Sequence, residues 1–266
     1  MYHYVRPDTP GPNRGVIGLT PEAFERQLDD LLATLEPIDW PQFLAAGEGR
    51  TTLPPRCFLL TFDDGLSDHV RYAAPAMARR SVRGVFFVAT EPLTRPRMLP
   101  AHAMHLLIDH LGAARLREVV DDYVRVHTRD LEHLLAVSAE DALAVYHYET
   151  EERATLKYLL NMLMPVPVRR RMMDALFAQH VGDHAASARD FYLGWDDLVS
   201  LQSAGHTIGG HGHTHDPLAL LEPGPMKSDV CRCTSILNEG LGFDRRPISY
   251  PFGSVNEAVR GAARGA

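Results

Sequence analysis

Cysteine is scarce: three in 266 residues, two of them spaced as Cys231-Arg232-Cys233. So few thiols exclude a disulfide-stapled scaffold and suit a reducing compartment. No apolar run approaches the roughly 20 residues that cross a bilayer. No basic-plus-apolar leader opens the chain either, so a cytoplasmic protein without a membrane span is expected. A basic excess is also missing: the formal net charge is −7, which makes a nucleic-acid backbone a poor partner. Low hydrophobicity, the mark of disorder, is absent as well, because 45% of the residues are hydrophobic. What is plentiful is histidine, with 14 residues. The length allows one large domain or two small ones.

Met1 to Val5 is short and β-prone and reads as an opening strand. Thr20-Pro21 has the form of an N-cap followed by proline at the first helical position. Phe24, Leu28, Leu31, Leu32 and Leu35 follow at helical spacing, and Pro37 ends that helix. The continuous apolar run Cys57 to Phe62 suits a buried parallel strand and leads into Asp63-Asp64-Gly65. A helix over about 68–80 and a second buried strand, Gly84 to Ala89, complete a strand–helix–strand unit of the α/β type. From 97 to 190 the rhythm is helical only. Met104, Leu107, Ile108 and Leu111 carry that spacing, as do Leu156, Leu159, Leu160 and Leu163, and Met172, Met173, Leu176 and Phe177. The alternation resumes with a helix from Trp195 to Ala204 closed by Gly205, then a strand from His206 to Gly210. A helix over Met226 to Glu239, a strand over Pro247 to Tyr250 and a helix from Asn256 to Ala263 follow. The expected organisation is one discontinuous β/α domain, 1–96 with 191–266, interrupted by a helical insert, 97–190.

Two clusters carry chemistry. Asp63 and Asp64 are adjacent carboxylates at a strand end, a costly pair unless cations or hydrogen bonds compensate. An Asp-Gly turn capping the next helix would also explain them. His211, His213 and His215 stand within five residues after another strand. Imidazoles so close repel when protonated and gain most when neutral and bound to a metal. A single helical turn would put His211 and His215 on one face and leave His213 pointing elsewhere. In α/β sheets functional groups gather at the C-terminal ends of parallel strands, where both clusters fall. One carboxylate with two imidazoles leaves coordination positions open for a water, and the second carboxylate can serve as general base.

These motifs resemble a known family. Thr61-Phe62-Asp63-Asp64-Gly65 is similar to the first motif of the polysaccharide deacetylases, the NodB-homology or carbohydrate esterase family 4 domain. His211-Gly212-His213-Thr214-His215 resembles their second motif, and Tyr250-Pro251-Phe252-Gly253 their third. The resemblance covers roughly 1–95 and 190–266. It implies a distorted (β/α) barrel of about seven parallel strands carrying the helical insert, and metal-dependent removal of an N-acetyl group from an amino sugar. Asp63 would be the general base. Asp64, His211 and His215 would hold a divalent metal, usually zinc, with cobalt, nickel, iron or manganese also suitable. Tyr250, Pro251, Phe252 and Gly253 would contact substrate, the Phe252 N–H helping to stabilise the oxyanion.

The sequence departs from the family pattern at three places. The usual general acid, a His in a downstream Leu-x-His motif, is absent up to Ala266. Circularly permuted relatives use a His near the start, so His3 in its Tyr-His context is nominated. Ser249 stands where the family commonly has the Arg that orients the base, and Gly212 replaces a Ser or Thr. In the insert, His102, His105 and His110 read as surface and rim residues rather than a second metal site, because no carboxylate or Cys pattern accompanies them. The insert itself would shape the substrate mouth or support a homo-oligomer. Competing functions are hydrolysis of another small N-acyl or N-formyl amide, and a non-catalytic carbohydrate-binding role. A two-His-one-carboxylate iron oxygenase lacks its usual strand pattern and His-x-Asp spacing here.

Overall fold

Short parallel strands alternate with helices at the two ends of this chain, and three of those strands, near residues 60, 86 and 208, are largely buried. The computed structural model describes residues 1–8, 15–242 and 245–266. It divides into two compact units. The first comprises Met1–Asp8, Gly18–Arg97 and Ala188–Ala266, and the second contains Met98–Ser187.

In the first unit, α1 (Pro21–Leu32) starts at Thr20, whose side chain accepts from the Ala23 N–H, and it buries Phe24 and Leu28. It stops before Pro37, because the Thr34 and Leu35 N–H groups both turn back to the Leu31 carbonyl. Pro37 belongs instead to β1 (Glu36–Pro37), followed by α2 (Trp40–Gly47) with its Asp39–Gln42 capping box. The apolar run 57–62 is not one strand. It splits into β2 (Cys57–Phe58), parallel to β1, and β3 (Leu60–Phe62), which joins a different sheet. A widened π turn, His69–Ala73, precedes α3 (Ala74–Ala78). Pro75 has no N–H and crowds the preceding carbonyls, and the Ala74 N–H reaches back five residues to His69. β4 (Gly84–Val88) is wholly buried, and α4 (Glu91–Thr94) follows it.

The second unit is helical: α5 (Pro100–Leu111), α6 (Ala113–His127), α7 (Ala139–Val145), α8 (Glu151–Tyr158) and α9 (Val166–His180). Its core joins Met104, Leu107 and Ile108 of α5 to Met172, Met173, Leu176 and Phe177 of α9, where those helices pack. A second π turn, Leu159–Leu163, leaves carbonyls without α-helical partners, and buried Arg169 approaches those of Leu160 and Asn161. His102 corrects the reading of rim histidines: it is 1% exposed. Ala101, Ala103 and Met104 beside it on α5 are buried as well, so that turn of the helix is enclosed on every side.

α10 (His184–Phe191) leads to α11 (Trp195–Ser203), β5 (Thr207–Gly210), α12 (Pro223–Leu241) and α13 (Glu257–Gly265). β3, β4 and β5 form a parallel sheet in which Phe62, Phe86 and Ile208 lie in one row. Single bridges extend it, Tyr2 to Phe62 and Ile248 to Gly210. The strands expected at 1–5 and 247–250 are therefore reduced to one bridge each on the sheet. Among the described residues there are five strands in two small parallel sheets, fewer than the seven expected. The core under the row contains Phe24, Leu28, Phe62, Met77, Phe86 and Leu198. Phe62 and Phe86 stack at 4.8 Å, and each such ring contributes about 1.5–3 kcal/mol by burial. No described helix is long and apolar enough to cross a membrane.

Candidate active site

The parallel sheet ends in one edge, and chemistry collects there. Asp63 follows β3, Thr90 lies just beyond β4, His211 follows β5, and Ser249 follows the Ile248 bridge. Asp64 has φ +78°, a left-handed conformation uncommon for a residue with a side chain. His215 (+56°) and Phe252 (+58°) share it, so three of the four described non-glycine residues with positive φ stand at this edge. Strain concentrated in this way marks a site whose surroundings over-determine it.

Asp64 Oδ1 lies 3.4 Å from His211 Nε2 and 3.0 Å from His215 Nε2. All three residues are buried, and their donor atoms lie within 4.8 Å of one another. His211 Nδ1 donates to the Ser249 carbonyl at 2.9 Å, so a neutral His211 presents its bare Nε2 to Asp64. Burial pulls the His211 pKa down, but the hydrogen bond and charge of Asp64 outweigh it and hold it raised. Two imidazole nitrogens and a carboxylate oxygen, with a backbone carbonyl orienting one ring, form a donor set that suits a zinc-type divalent ion. Among the described residues no second such group of three exists.

The loop bringing His211 and His215 together is not a helical turn. Residues 211–217 are irregular, folded back at Gly212 (φ +71°) and His215. Backbone bonds clamp the loop: His211 N–H to the Val88 carbonyl, Thr90 N–H to Gly212, and Glu91 N–H to His213. From α12, Asp229 accepts from the His213 N–H at 2.7 Å and the Thr214 N–H at 2.9 Å, and lies 2.6 Å from the Thr214 hydroxyl. The space a side chain at position 212 would enter, where Gly212 replaces the Ser or Thr of the family pattern, is taken by that carboxylate. A Cβ on Gly212 would lie 2.9 Å from Asp229 Oδ1. His213 turns away to the Thr90 hydroxyl, 3.0 Å from its Nδ1.

Asp63 is 6% exposed and accepts from Ser249 Oγ at 3.1 Å through Oδ2. Its Oδ1 is buried with no hydrogen-bond donor among the described residues. His3 is exposed, one residue beyond Tyr2, whose carbonyl accepts the Asp63 N–H. The opening segment thus runs level with Asp63, while no described contact joins the His3 imidazole to Asp64, His211 or His215. Phe252 lies 5.0 Å from the His215 ring, Pro251 is buried, Gly253 has φ +64°, and Tyr250 packs on the cluster of Leu218, Met226 and Val259.

Three contributors escaped the sequence. His69 is fully buried, donates through Nε2 to the His3 carbonyl, and burial pushes its pKa down to about 4. Neither it nor Thr90 carries a local signal. Asp229 does: it interrupts the apolar stripe Met226, Val230, Cys233, Leu237, and a carboxylate on a buried face must have partners.

A protein-family model described as polysaccharide deacetylase matches residues 50–157 and 172–266. The chain belongs to the polysaccharide deacetylase family. The match runs through much of the helical unit as well as the strands that carry the motifs. IcaB from Ammonifex degensii is similar in structure at 17% identity and a TM-score of 0.58, over 99% of this chain and 77% of that one. The Streptococcus pyogenes deacetylase PplD, in complex with acetate, is similar at 12% identity and 0.58, again over 99% and 77%. A de-N-acetylase from Aggregatibacter actinomycetemcomitans is similar at 14% identity and 0.55, over 99% and 82%. At these identities the likeness is one of fold. No curated protein matches the chain.

Proposed function

We propose that this family member is a metal-dependent N-deacetylase acting on an N-acetylated amino sugar. The observation that carries the reading is the convergence of buried Asp64, His211 and His215 on one point, with a second buried carboxylate, Asp63, beside it. When bound, a divalent ion supplies Lewis acidity to a water and to the amide carbonyl.

The residues then divide the work. Asp64, His211 and His215 are the ligands. Asp63 takes the proton of the attacking water, whose oxygen bonds to the acetyl carbon. The Phe252 N–H offers a hydrogen bond to the tetrahedral oxyanion, and the left-handed backbone at Phe252 supports that role. Collapse breaks the C–N bond, and His3 donates the proton that the departing amine requires. His3 is favoured by its place beside the strand that ends in Asp63. The parallel row and its two flanking bridges are read as part of a distorted barrel open at the site edge.

The test is acetate release from short N-acetylglucosamine oligosaccharides by protein loaded with one divalent ion per chain. Formate and other acids are measured in parallel on matching N-acyl amides. Acetate supports the deacetylase, another acid supports a different amide hydrolase, and binding without turnover supports a carbohydrate-binding role.

A further inference from the structure

Ser249 occupies an unusual junction. Its N–H donates to the Gly210 carbonyl at 2.9 Å, extending β5 by one rung. Its carbonyl accepts from His211 Nδ1 at 2.9 Å. Its hydroxyl donates to Asp63 Oδ2 at 3.1 Å. One half-buried residue therefore touches both the group assigned as base and a residue assigned as ligand, and it does so with different atoms.

We infer that Ser249 is a positioning residue: its hydroxyl fixes which oxygen of Asp63 reacts, while its backbone carbonyl fixes the ligating nitrogen of His211. The inference rests on the deacetylase reading for its kinetic consequence, though not for its geometry. A hydroxyl has one proton, and here it engages Oδ2. Oδ1 is the oxygen left without a donor among the described residues, and on this inference it is the one that takes the proton. Without the hydroxyl, the carboxylate is free to rotate about its last bond, a broad torsion with no strong preference of its own. The His211 contact uses the main chain, so it survives any substitution that keeps the backbone pairing with Gly210. The two functions of Ser249 are thus separable by mutation.

Ser249→Ala and Ser249→Thr, each metal-loaded, are compared with the parent protein for kcat, KM, metal per chain and crystal structure. Short N-acetylglucosamine oligosaccharides serve as the substrate probe. The expected result for Ser249→Ala is a fall in kcat of roughly 10- to 100-fold, the scale of a hydrogen bond to a charged group. KM should stay within about twofold, because Ser249 is not assigned a substrate contact. Metal content should be unchanged, and the Asp63 carboxylate should be turned in the crystal. Ser249→Thr should restore both kcat and the carboxylate orientation. Unchanged kcat in Ser249→Ala, loss of metal in it, or failure of Thr to restore activity overturns the inference. If the parent protein releases no acetate, the deacetylase reading fails by itself. Ser249 is then judged on the crystals alone, and an unmoved Asp63 in Ser249→Ala overturns it.

Discussion

Asp63 and Asp64 are neighbours in the chain, yet their carboxylates keep different company. Asp64 meets two imidazoles, and Asp63 meets a hydroxyl. That separation lets the two be tested independently. Asp63→Asn should retain about one metal per chain and lower kcat by roughly 10²- to 10⁴-fold, the usual scale for a general base. Elemental analysis beside acetate assays checks both halves. Gly212 makes a second residue-scale prediction. Restoring the hydroxyl residue with Gly212→Ser puts a Cβ 2.9 Å from Asp229 Oδ1 on a backbone at φ +71°. It should cost about 1–3 kcal/mol of stability, read as a lower urea midpoint.

At the scale of elements, α12 holds the loop that carries the histidines. Burial raises the Asp229 pKa, against the bonds from Thr214 and His213 that pull it down. Asp229→Asn keeps the shape but replaces one acceptor with an N–H donor facing backbone N–H groups. Metal affinity should weaken about 10- to 100-fold, measured by competition with a chelator, with the loop rather than α12 loosened. The same scale shows what a sequence can and cannot reveal. Thr20-Pro21 announced α1 because capping is local. The run 57–62 announced extended chain, but burial holds only at Leu60 and Phe62, and the change of partner at Leu59 was hidden because pairing is decided by strands far along the chain. The helical rhythms around 70 and 160 hid two π turns, since one widened turn hardly disturbs apolar spacing. The histidine cluster advertised itself, but the geometry that joins His211 to His215 comes from left-handed residues rather than the helical turn that i,i+4 spacing suggests. Ser249 and Asp229 act across 186 and 16 positions of sequence, and neither the hydroxyl's partner nor the carboxylate's could be read locally.

For the whole molecule, buried histidines link stability to pH. His206 accepts the Gly84 N–H through Nδ1, and burial, with help from the charge of Arg83, pushes its pKa down to about 4. The unfolded chain binds that proton near pH 6.5, so it holds more protons than the folded chain between about 6.5 and 4. The stability His206 contributes is therefore intact above about pH 6.5 and declines as pH falls towards 4. Urea midpoints should follow that slope. His206→Asn, which can still accept from Gly84, should flatten it.

The central claim is that Asp64, His211 and His215 hold a catalytic divalent ion for amide hydrolysis of an N-acetylated sugar. The most direct measurement is acetate released from short N-acetylglucosamine oligosaccharides, with bound metal quantified in the same samples, for the parent protein and for Asp64→Asn. About one ion per chain and acetate release are expected in the parent, with both lost together in the variant. Acetate release that persists in metal-free Asp64→Asn would contradict it.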